Sequence, residues 1–171
     1  MAAGAVLLAL ILTFATVSGA HFNPLVTLAT GRNQLRGSRA LGYILAQFAD
    51  GIAGVAVANL MFDLPIFFMS QHSRAGFSQL LAEVVATFGL VTIVRMSASP
   101  FAVAAYIVGA YWFTSSTSFA NPAVTLARTL TDTFSGIRPA DAPGFLAAQT
   151  TGGLAAMFFA RWLTLKTRED S

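Results

Sequence analysis

The sequence predicts an all-α membrane protein in which one short motif occurs twice, and three observations support this. Of the 171 residues, 56% are hydrophobic and 10% are charged, whereas a soluble domain carries about 25% charged residues. Apolar segments of roughly the length that a bilayer needs alternate with short polar loops. The run HFNPLVTLAT at residues 21–30 returns 98 residues later as FANPAVTLAR at residues 119–128, with six of the eight positions from the Asn onward unchanged.

Composition and charge argue against several other classes of protein. The chain has no cysteine, so disulfides and thiolate metal sites are excluded. The net charge of +3 and the pI near 10 would suit a nucleic-acid ligand, but the basic residues are scattered between apolar blocks and form no basic face. No set of histidine, serine and carboxylate residues converges, so we expect neither an enzyme nor a metal or cofactor site.

Five apolar segments are predicted to cross the membrane. The first, residues 1–17, is free of charge. A cleaved signal peptide is the alternative there, but the chain lacks the positively charged start that such a peptide needs. Each of the others is close to the roughly 20 residues of a span, with some tilt. They are residues 38–62, 77–95, 100–117 and 142–164. The polar tail from Lys166 is expected to fray.

Each copy of the repeated motif is predicted to start a short helix. Asn is a preferred N-cap residue, and Pro is favoured at the first helical position, where its missing N–H is no loss. Neither copy is long enough to cross a bilayer. Asn23 and Asn121 are therefore expected to begin half-helices that enter from opposite faces. Two ordinary capped helices in surface loops are the alternative, but they would not explain why both loops are so apolar and alike.

The distribution of basic residues predicts that the N-terminus lies outside the cell. Cytoplasmic loops carry an excess of Lys and Arg. With the predicted spans, seven basic residues fall on one side: Arg32, Arg36, Arg39, Arg95, Arg161, Lys166 and Arg168. Three fall on the other: Arg74, Arg128 and Arg138. The sequence therefore predicts a multi-pass protein embedded in the lipid bilayer of the cell membrane, such as a bacterial inner membrane, with the first side in the cytoplasm.

At the two motifs the chain resembles the aquaporin, or major intrinsic protein, family. Residues 18–24 (SGAHFNP) are similar to the first pore loop of that family, and residues 121–123 (NPA) match its second signature tripeptide. The resemblance implies an inverted-repeat helical bundle with two pore half-helices, assembled as a homotetramer. It also implies a passive channel for water or small uncharged solutes. The pore signature would consist of Asn23, Pro24, Leu25, Asn121, Pro122 and Ala123.

The resemblance also implies a narrower selectivity filter nearer the outer face. Counted from the two Asn residues, its members would be Ala3, Gly109, Ser118 and Val124. Val124 stands where most relatives have an arginine. The nearest arginine, Arg128, is one helical turn later and is expected to face away from the pore. Small and apolar residues at all four places imply a wide opening, as in relatives that pass glycerol or metalloid acids.

Four further residues carry expectations from the same resemblance. His21 is a pore-lining candidate, although a hydrogen bond to the backbone is the alternative. Glu83 lies inside a predicted span and would brace the carbonyl groups of the second pore loop as a structural buried acid. Asp50 aligns with Gly152, where a small residue would allow close helix crossing. Leu25 replaces the usual Ala at the contact between the tripeptides, and its extra methylenes would cost roughly 1–3 kcal/mol.

The repeat offset predicts an incomplete first half. Residues 1–171 are read as one channel domain, with 1–62 an incomplete half-repeat and 77–164 a complete one. The first transmembrane helix of the family has no counterpart, which fits either a truncated or misassigned gene product or a genuine five-span protein. Two alternatives to a passive channel remain: a proton-coupled transporter that uses Asp50 and Glu83, and a truncated bundle that conducts nothing.

Overall fold

The computed structural model describes residues 2–30, 37–97 and 99–169. This part of the chain is all-α and contains no strand. Its helices are α1 (Ala2–Ser18), α2 (Pro24–Thr30), α3 (Ser38–Met61), α4 (Phe77–Met96), α5 (Pro100–Phe113), α6 (Pro122–Ala127) and α7 (Ala142–Glu169). A 3-10 turn at Arg128–Leu130 extends α6. Arg32 and Arg36, two of the basic residues that predict the orientation, lie outside the described residues.

The predicted spans correspond to α1, α3, α4, α5 and α7, with changes at their ends. By length and composition α3 and α4 are each able to cross a bilayer, whereas α1 and α5 are apolar but shorter. Helix α5 ends before the predicted residue 117, because the backbone becomes extended at Thr114 and turns into the second pore loop. Helix α7 extends to Glu169, past Lys166, where the polar tail was expected to begin to fray.

The sequence repeat is also a structural repeat. Shifted by 98 residues, α1 corresponds to α5 and α2 to α6, and α3 corresponds to α7 after a longer loop. Within the described residues α4 has no counterpart. The equivalent helices α1 and α5 pack against each other, and the half-helices α2 and α6 contact each other as well as α3 and α7. The two half-helices therefore meet at the centre of the bundle.

The most extensive helix contact joins α4 and α7. Gly152 makes it possible, because a Cβ atom there would clash with the carbonyl oxygen of Val84. The aligned position on α3 is Asp50, whose side chain is exposed. Helix α4 buries six residues, whereas α3 buries only Asn59. The core of the bundle thus lies on the α4 side, and the side of α3 that carries Asp50 is open.

Candidate pore

Two asparagines link the half-helices at the centre of the bundle. The side-chain oxygen of each accepts a hydrogen bond from the N–H two residues on, at 2.9 Å for Asn23 and 3.0 Å for Asn121, and so caps its own helix. The side-chain nitrogen of Asn23 donates across to the carbonyl of Ala120 at 2.7 Å. That of Asn121 donates back to the carbonyl of Phe22 at 2.8 Å. Each amide nitrogen retains a second hydrogen that these bonds do not use.

The loops before the asparagines follow the same unusual backbone path. The angle φ is 48° at both Ala20 and Phe22, and it is 49° and 47° at the equivalent Ser118 and Ala120. Residues other than glycine rarely adopt this conformation, which costs about 1–3 kcal/mol at each position. Strained backbone of this kind clusters at functional sites. Its duplication therefore marks the two loops as parts of one site.

A matching pair of threonines and glutamines holds the half-helices to the long helices. Thr27 and Thr125 each donate to the carbonyl of the Asn four residues earlier, at 3.1 and 2.9 Å. Gln47 on α3 and Gln149 on α7 each donate to the threonine hydroxyl, at 2.9 and 2.8 Å. Both half-helices are thus attached in the same way.

The second loop has an additional support in Glu83 on α4. Its fully buried carboxylate accepts hydrogen bonds from the N–H groups of Phe119 and Ala120, both at 2.9 Å. It also accepts from Ser116 Oγ and from Gln149 Nε2, both at 2.6 Å. Glu83 was expected to brace carbonyl groups, but its four hydrogen-bond partners in the structure are N–H and O–H donors. The side chain does not line the cavity described next.

Both loops open into one cavity of about 700 Å³, which is within the usual range of small-molecule sites. The predicted site residues that line it are Ala3, His21, Asn23, Ser118, Asn121 and Val124. The other signature residues are buried within the half-helices: Pro24, Leu25, Pro122 and Ala123. The fold thus brings residues from both halves of the chain to one space.

Two placements differ from the predictions. Gly109 does not line the cavity, and α5 presents Ile107 and Tyr111 there instead. Since two residues rotate a helix by about 200°, Gly109 faces the other way. Arg128 does line the cavity, although it was expected to face away. It follows Val124 by four residues, and side chains with that spacing lie on one helix face.

His21 lines the cavity from the first loop. Its Nε2 lies 3.1 Å from Thr30 Oγ1, and its ring centroid lies 5.7 Å from that of Tyr43. Its Nδ1 is buried and has no hydrogen-bond partner among the described residues. The ring is therefore held by side chains, and the alternative of a bond to the backbone is not what the structure has.

Leu25 fits without the crowding that its extra methylenes predict. It is buried beside Ala29, Val91 and Ala156. Both of its methyl groups lie 3.5 Å from the point where a Cβ atom on Gly153 would stand, which is an ordinary contact distance. Leu25 is therefore packed at an ordinary distance on the side facing α7, and the expected crowding is not seen there.

The second loop is also held by Arg74, a residue that no sequence pattern marks. Its side chain is buried in the loop before α4. Nε donates to the carbonyl of Gly136 at 2.8 Å, Nη1 to that of Ser116 at 3.1 Å, and Nη2 to that of Phe134 at 2.9 Å. The guanidinium carbon lies 4.9 Å from the centroid of the Phe119 ring. The charge of Arg74 in a loop that follows several apolar residues was a weak signal for this role.

Comparison with known proteins agrees with this arrangement. The model of the family described as major intrinsic protein matches residues 1–105. Aquaglyceroporin AqpS of Rhizobium meliloti (strain 1021) is 49% identical over 177 residues, which cover 98% of this chain and 75% of that protein. Aquaporin-5 of Ovis aries is 35% identical over 88 residues, which cover 47% of this chain and 33% of aquaporin-5.

The repeated half-helices, the paired asparagines and the shared cavity are the features expected of a membrane channel. The matches to the family model and to the relative from Rhizobium meliloti identify the family of channels. The chain belongs to the major intrinsic protein family, the aquaporins, and is a channel for water and small solutes.

Proposed function

We propose that this protein is a passive channel for small uncharged solutes of the size of glycerol or a metalloid acid, as well as for water. The observation that carries the proposal is the pair of reciprocal hydrogen bonds that brings Asn23 and Asn121 together at one cavity. The spare amide hydrogens are able to replace part of the hydration shell of a passing solute. No covalent step is needed.

The preference for uncharged solutes follows from the direction of the half-helices. The N-terminus of a helix carries roughly half a positive charge. Both half-helices begin at the asparagines, so a cation at this point meets two partial positive charges and an electrostatic barrier. A neutral solute meets hydrogen-bond donors instead. This barrier is also expected to interrupt proton transfer along a chain of water molecules.

The width of the outer cavity favours solutes larger than water. Ala3, Ser118 and Val124 have small side chains and all line the cavity. The hydroxyl of Ser118 is buried and has no hydrogen-bond partner in the described part of the chain. The name of the relative from Rhizobium meliloti, an aquaglyceroporin, agrees with this width.

The proposal also covers the organisation of the channel. Residues 1–171 form one channel domain, which crosses the cell membrane several times and assembles as a homotetramer. Large apolar side chains are exposed along α3 and α7, among them Leu41, Leu45, Leu154 and Phe158. Lipid or a neighbouring copy would cover them. The mass of the purified protein in detergent tests the number of copies.

The substitution Asn121→Asp tests the passive channel. A carboxylate keeps the cap of α6 but loses the donor to Phe22 and places a negative charge at the meeting point. We expect glycerol and water permeation of proteoliposomes to fall at least about tenfold at equal protein density, because of the added charge and the lost donor. Asn59→Asp is the matched control, since Asn59 is also a buried amide but lies outside the cavity. Equal permeation rates in parent and Asn121→Asp would contradict the proposal.

A second candidate, a proton-coupled transporter, rests on Asp50. This acid lines the same cavity from α3 with an exposed side chain. Glu83, the other acid of that hypothesis, has four hydrogen-bond donors and does not line the cavity, which disfavours it as a proton carrier. We expect Asp50→Gly to leave solute flux independent of an imposed pH gradient, as in the parent. Flux that follows the gradient in the parent and stops in Asp50→Gly would favour the transporter.

A further inference from the structure

The outer part of the cavity contains a guanidinium group in a position that the resemblance does not assign. Arg128 ends α6 and lines the cavity. Its guanidinium carbon lies 4.3 Å from the centroid of the Phe119 ring, a cation–π distance. Within the described residues it forms no ion pair with a carboxylate. The cavity therefore holds a positive charge that no bonded partner neutralises.

The ring that holds Arg128 is itself fixed. Phe119 is 5% exposed, and its N–H donates to Glu83. Its ring meets the edge of the Phe145 ring at 5.3 Å between centroids. The guanidinium of Arg74 also faces this ring and is tied to three backbone carbonyls. Arg128 therefore stacks on a ring that has no freedom to follow it out of the cavity.

The helix geometry relates Arg128 to the empty filter position. Val124 and Arg128 are one turn apart on α6, and both line the cavity. An arginine at Val124 would enter at the level of Ser118 and fill that part of the opening. The guanidinium of Arg128 enters one turn farther along the helix instead, where the ring of Phe119 holds it.

We propose that Arg128 is the residue that excludes cations from the outer cavity, and that Phe119 and Arg74 are positioning residues for it. The one-turn displacement keeps a fixed charge in the path while leaving the opening at Val124 wide enough for larger neutral solutes. This inference rests on the proposed passive channel.

The surrounding charges agree with this role. Burial lowers the pKa of Arg74 from its usual value, and the charge of Arg128 acts in the same direction, while Glu83 opposes them. Two guanidinium groups near one ring strengthen the positive potential at this end of the cavity. Asp50 lines the cavity on the facing helix but makes no ion pair with Arg128 in the described structure.

Removal of the charge is the direct test. In planar bilayers under a sodium chloride gradient, we expect Arg128→Gln to raise the sodium permeability relative to the parent by on the order of tenfold to 100-fold. Glycerol permeation of the same preparations is measured in parallel, and the ratio of sodium to glycerol permeability should rise in Arg128→Gln. Arg128→Lys keeps the charge and should resemble the parent. Arg161→Gln, which removes an exposed arginine that does not line the cavity, is the matched charge control.

A thiol reagent gives a second measurement in variants that fold. The chain has no cysteine, so Arg128→Cys introduces a single reactive thiol. Modification with a positively charged thiosulfonate should restore the exclusion of sodium, whereas a negatively charged one should raise sodium permeability further. Arg161→Cys treated in the same way should show no change with either reagent.

The outcomes separate this inference from the channel proposal. Sodium permeability that rises in Arg128→Gln but not in Arg128→Lys supports the role of Arg128. Unchanged sodium permeability in Arg128→Gln overturns it, and so does an equal rise in Arg128→Gln and Arg128→Lys, which would indicate a structural role. A parent protein that passes neither water nor glycerol would instead refute the passive channel itself.

Discussion

The first pore loop, residues 18–22, and the second, residues 114–120, take the same backbone path with different supports. Positive φ angles recur at equivalent positions, and each Asn caps its own helix while bonding to the opposite loop. The second loop is also held by the carboxylate of Glu83 and by the guanidinium of Arg74. Among the described residues, charged side chains from α4 and from the loop before it hold the second pore loop, and none holds the first.

The two loops differ most clearly in the hydrogen bonding of two backbone N–H groups. His21 and Phe22 are equivalent to the two residues whose N–H groups bind Glu83, yet their own N–H groups have no acceptor among the described residues. Gln47 likewise donates only to its threonine, whereas Gln149 donates to Glu83 as well. Helix α4 does reach the first half at Arg95, which donates to the carbonyl of Ala29 at the end of α2.

The difference between the two loops shows that the path of a loop and its support are encoded by different parts of the sequence. The repeated motif encodes the path of each loop, because the Asn, Pro and Thr that shape it occur in both copies. The rigidity of a loop comes from residues outside the motif, on α4 and in the loop before it. The two pore loops are therefore expected to differ in local stability, although they follow the same backbone path.

The largest effect is expected from Glu83→Gln. The amide replaces one carboxylate oxygen by an NH2 group, so two of the four buried donors lose their acceptor, at about 1–3 kcal/mol each. We expect the free energy of unfolding in detergent to fall by that sum. Phe119 and Ala120 donate to different carboxylate oxygens, so one of these two N–H groups loses its acceptor, and its amide exchange, slower than at His21 and Phe22 in the parent, should become as fast as in the first loop.

Asp50→Asn is the matched control for Glu83→Gln. It makes the same chemical change in an exposed acid that accepts no hydrogen bond in the described structure, so its cost should stay below about 0.5 kcal/mol. If the two variants lose equal stability, Glu83 does not clamp the second loop. If the amides of the two loops exchange at equal rates in the parent, the contrast between the loops is itself wrong.

The helical elements and the capping asparagines could be predicted because their signals are local. Hydropathy places the long helices to within a few residues, and Asn followed by Pro identifies both half-helix starts. The repeat itself is visible as an offset of 98 residues. None of these features depends on which residues lie nearby in the folded structure.

The supports could not be predicted because they join distant parts of the chain. Arg74 bonds to carbonyls 42 and 62 residues away, and nothing in its own loop indicates them. Counting from an Asn identifies Gly109 and Arg128 as positions but not the side of the helix that faces the cavity. That direction depends on how α5 and α6 are rotated in the bundle, which is why the cavity lining differs from both expectations.

The second prediction compares the equivalent residues Val124 and Val26. We expect Val124→Arg to lower glycerol permeation about tenfold more than water permeation, because the long side chain fills the opening beside Ser118 while offering donors to water. Stopped-flow swelling of proteoliposomes measures both rates. Val124→Leu adds bulk without charge and separates the two contributions. A common slowing of both solutes would show that Val124 does not set the width of the path.

The same substitution at Val26 sharpens the comparison between the halves. Val26 packs against Ala86, Leu90 and Val103, although it also borders the cavity, so an arginine there would displace core packing and bury part of a charge. We expect Val26→Arg to lower the monodisperse yield in detergent, whereas Val124→Arg should not. A well-folded Val26→Arg protein with altered selectivity would mean that the two valines have the same role after all.

The smallest effect on stability is expected from a change in pH, and it should be confined to the second half of the chain. Asp141, just before α7, accepts hydrogen bonds from Arg138 Nη2 and from the backbone N–H of Arg74, both at 2.9 Å, and from Ser73 Oγ at 3.4 Å. Burial alone would raise the pKa of Asp141, but the bonds from Arg138 and Arg74 outweigh it and hold that pKa below its usual value. A carboxyl whose folded pKa is depressed stabilises the fold above its unfolded pKa, about 3.9, and loses that contribution as pH falls through the folded value.

Asp141→Asn isolates this contribution. The parent should lose more stability than the variant between pH 5 and roughly pH 3, and the two should converge at lower pH. At pH 7 the Tm of the variant should be lower by at most about 2–4 °C, because one partly exposed ion pair contributes about 1 kcal/mol at most. Protonation also removes the acceptor for the Arg74 backbone, so acid should speed amide exchange at Arg74 and in the second loop while leaving His21 and Phe22 unchanged. Parallel loss of protection in both loops would show that acid acts on the bundle as a whole and not through Asp141.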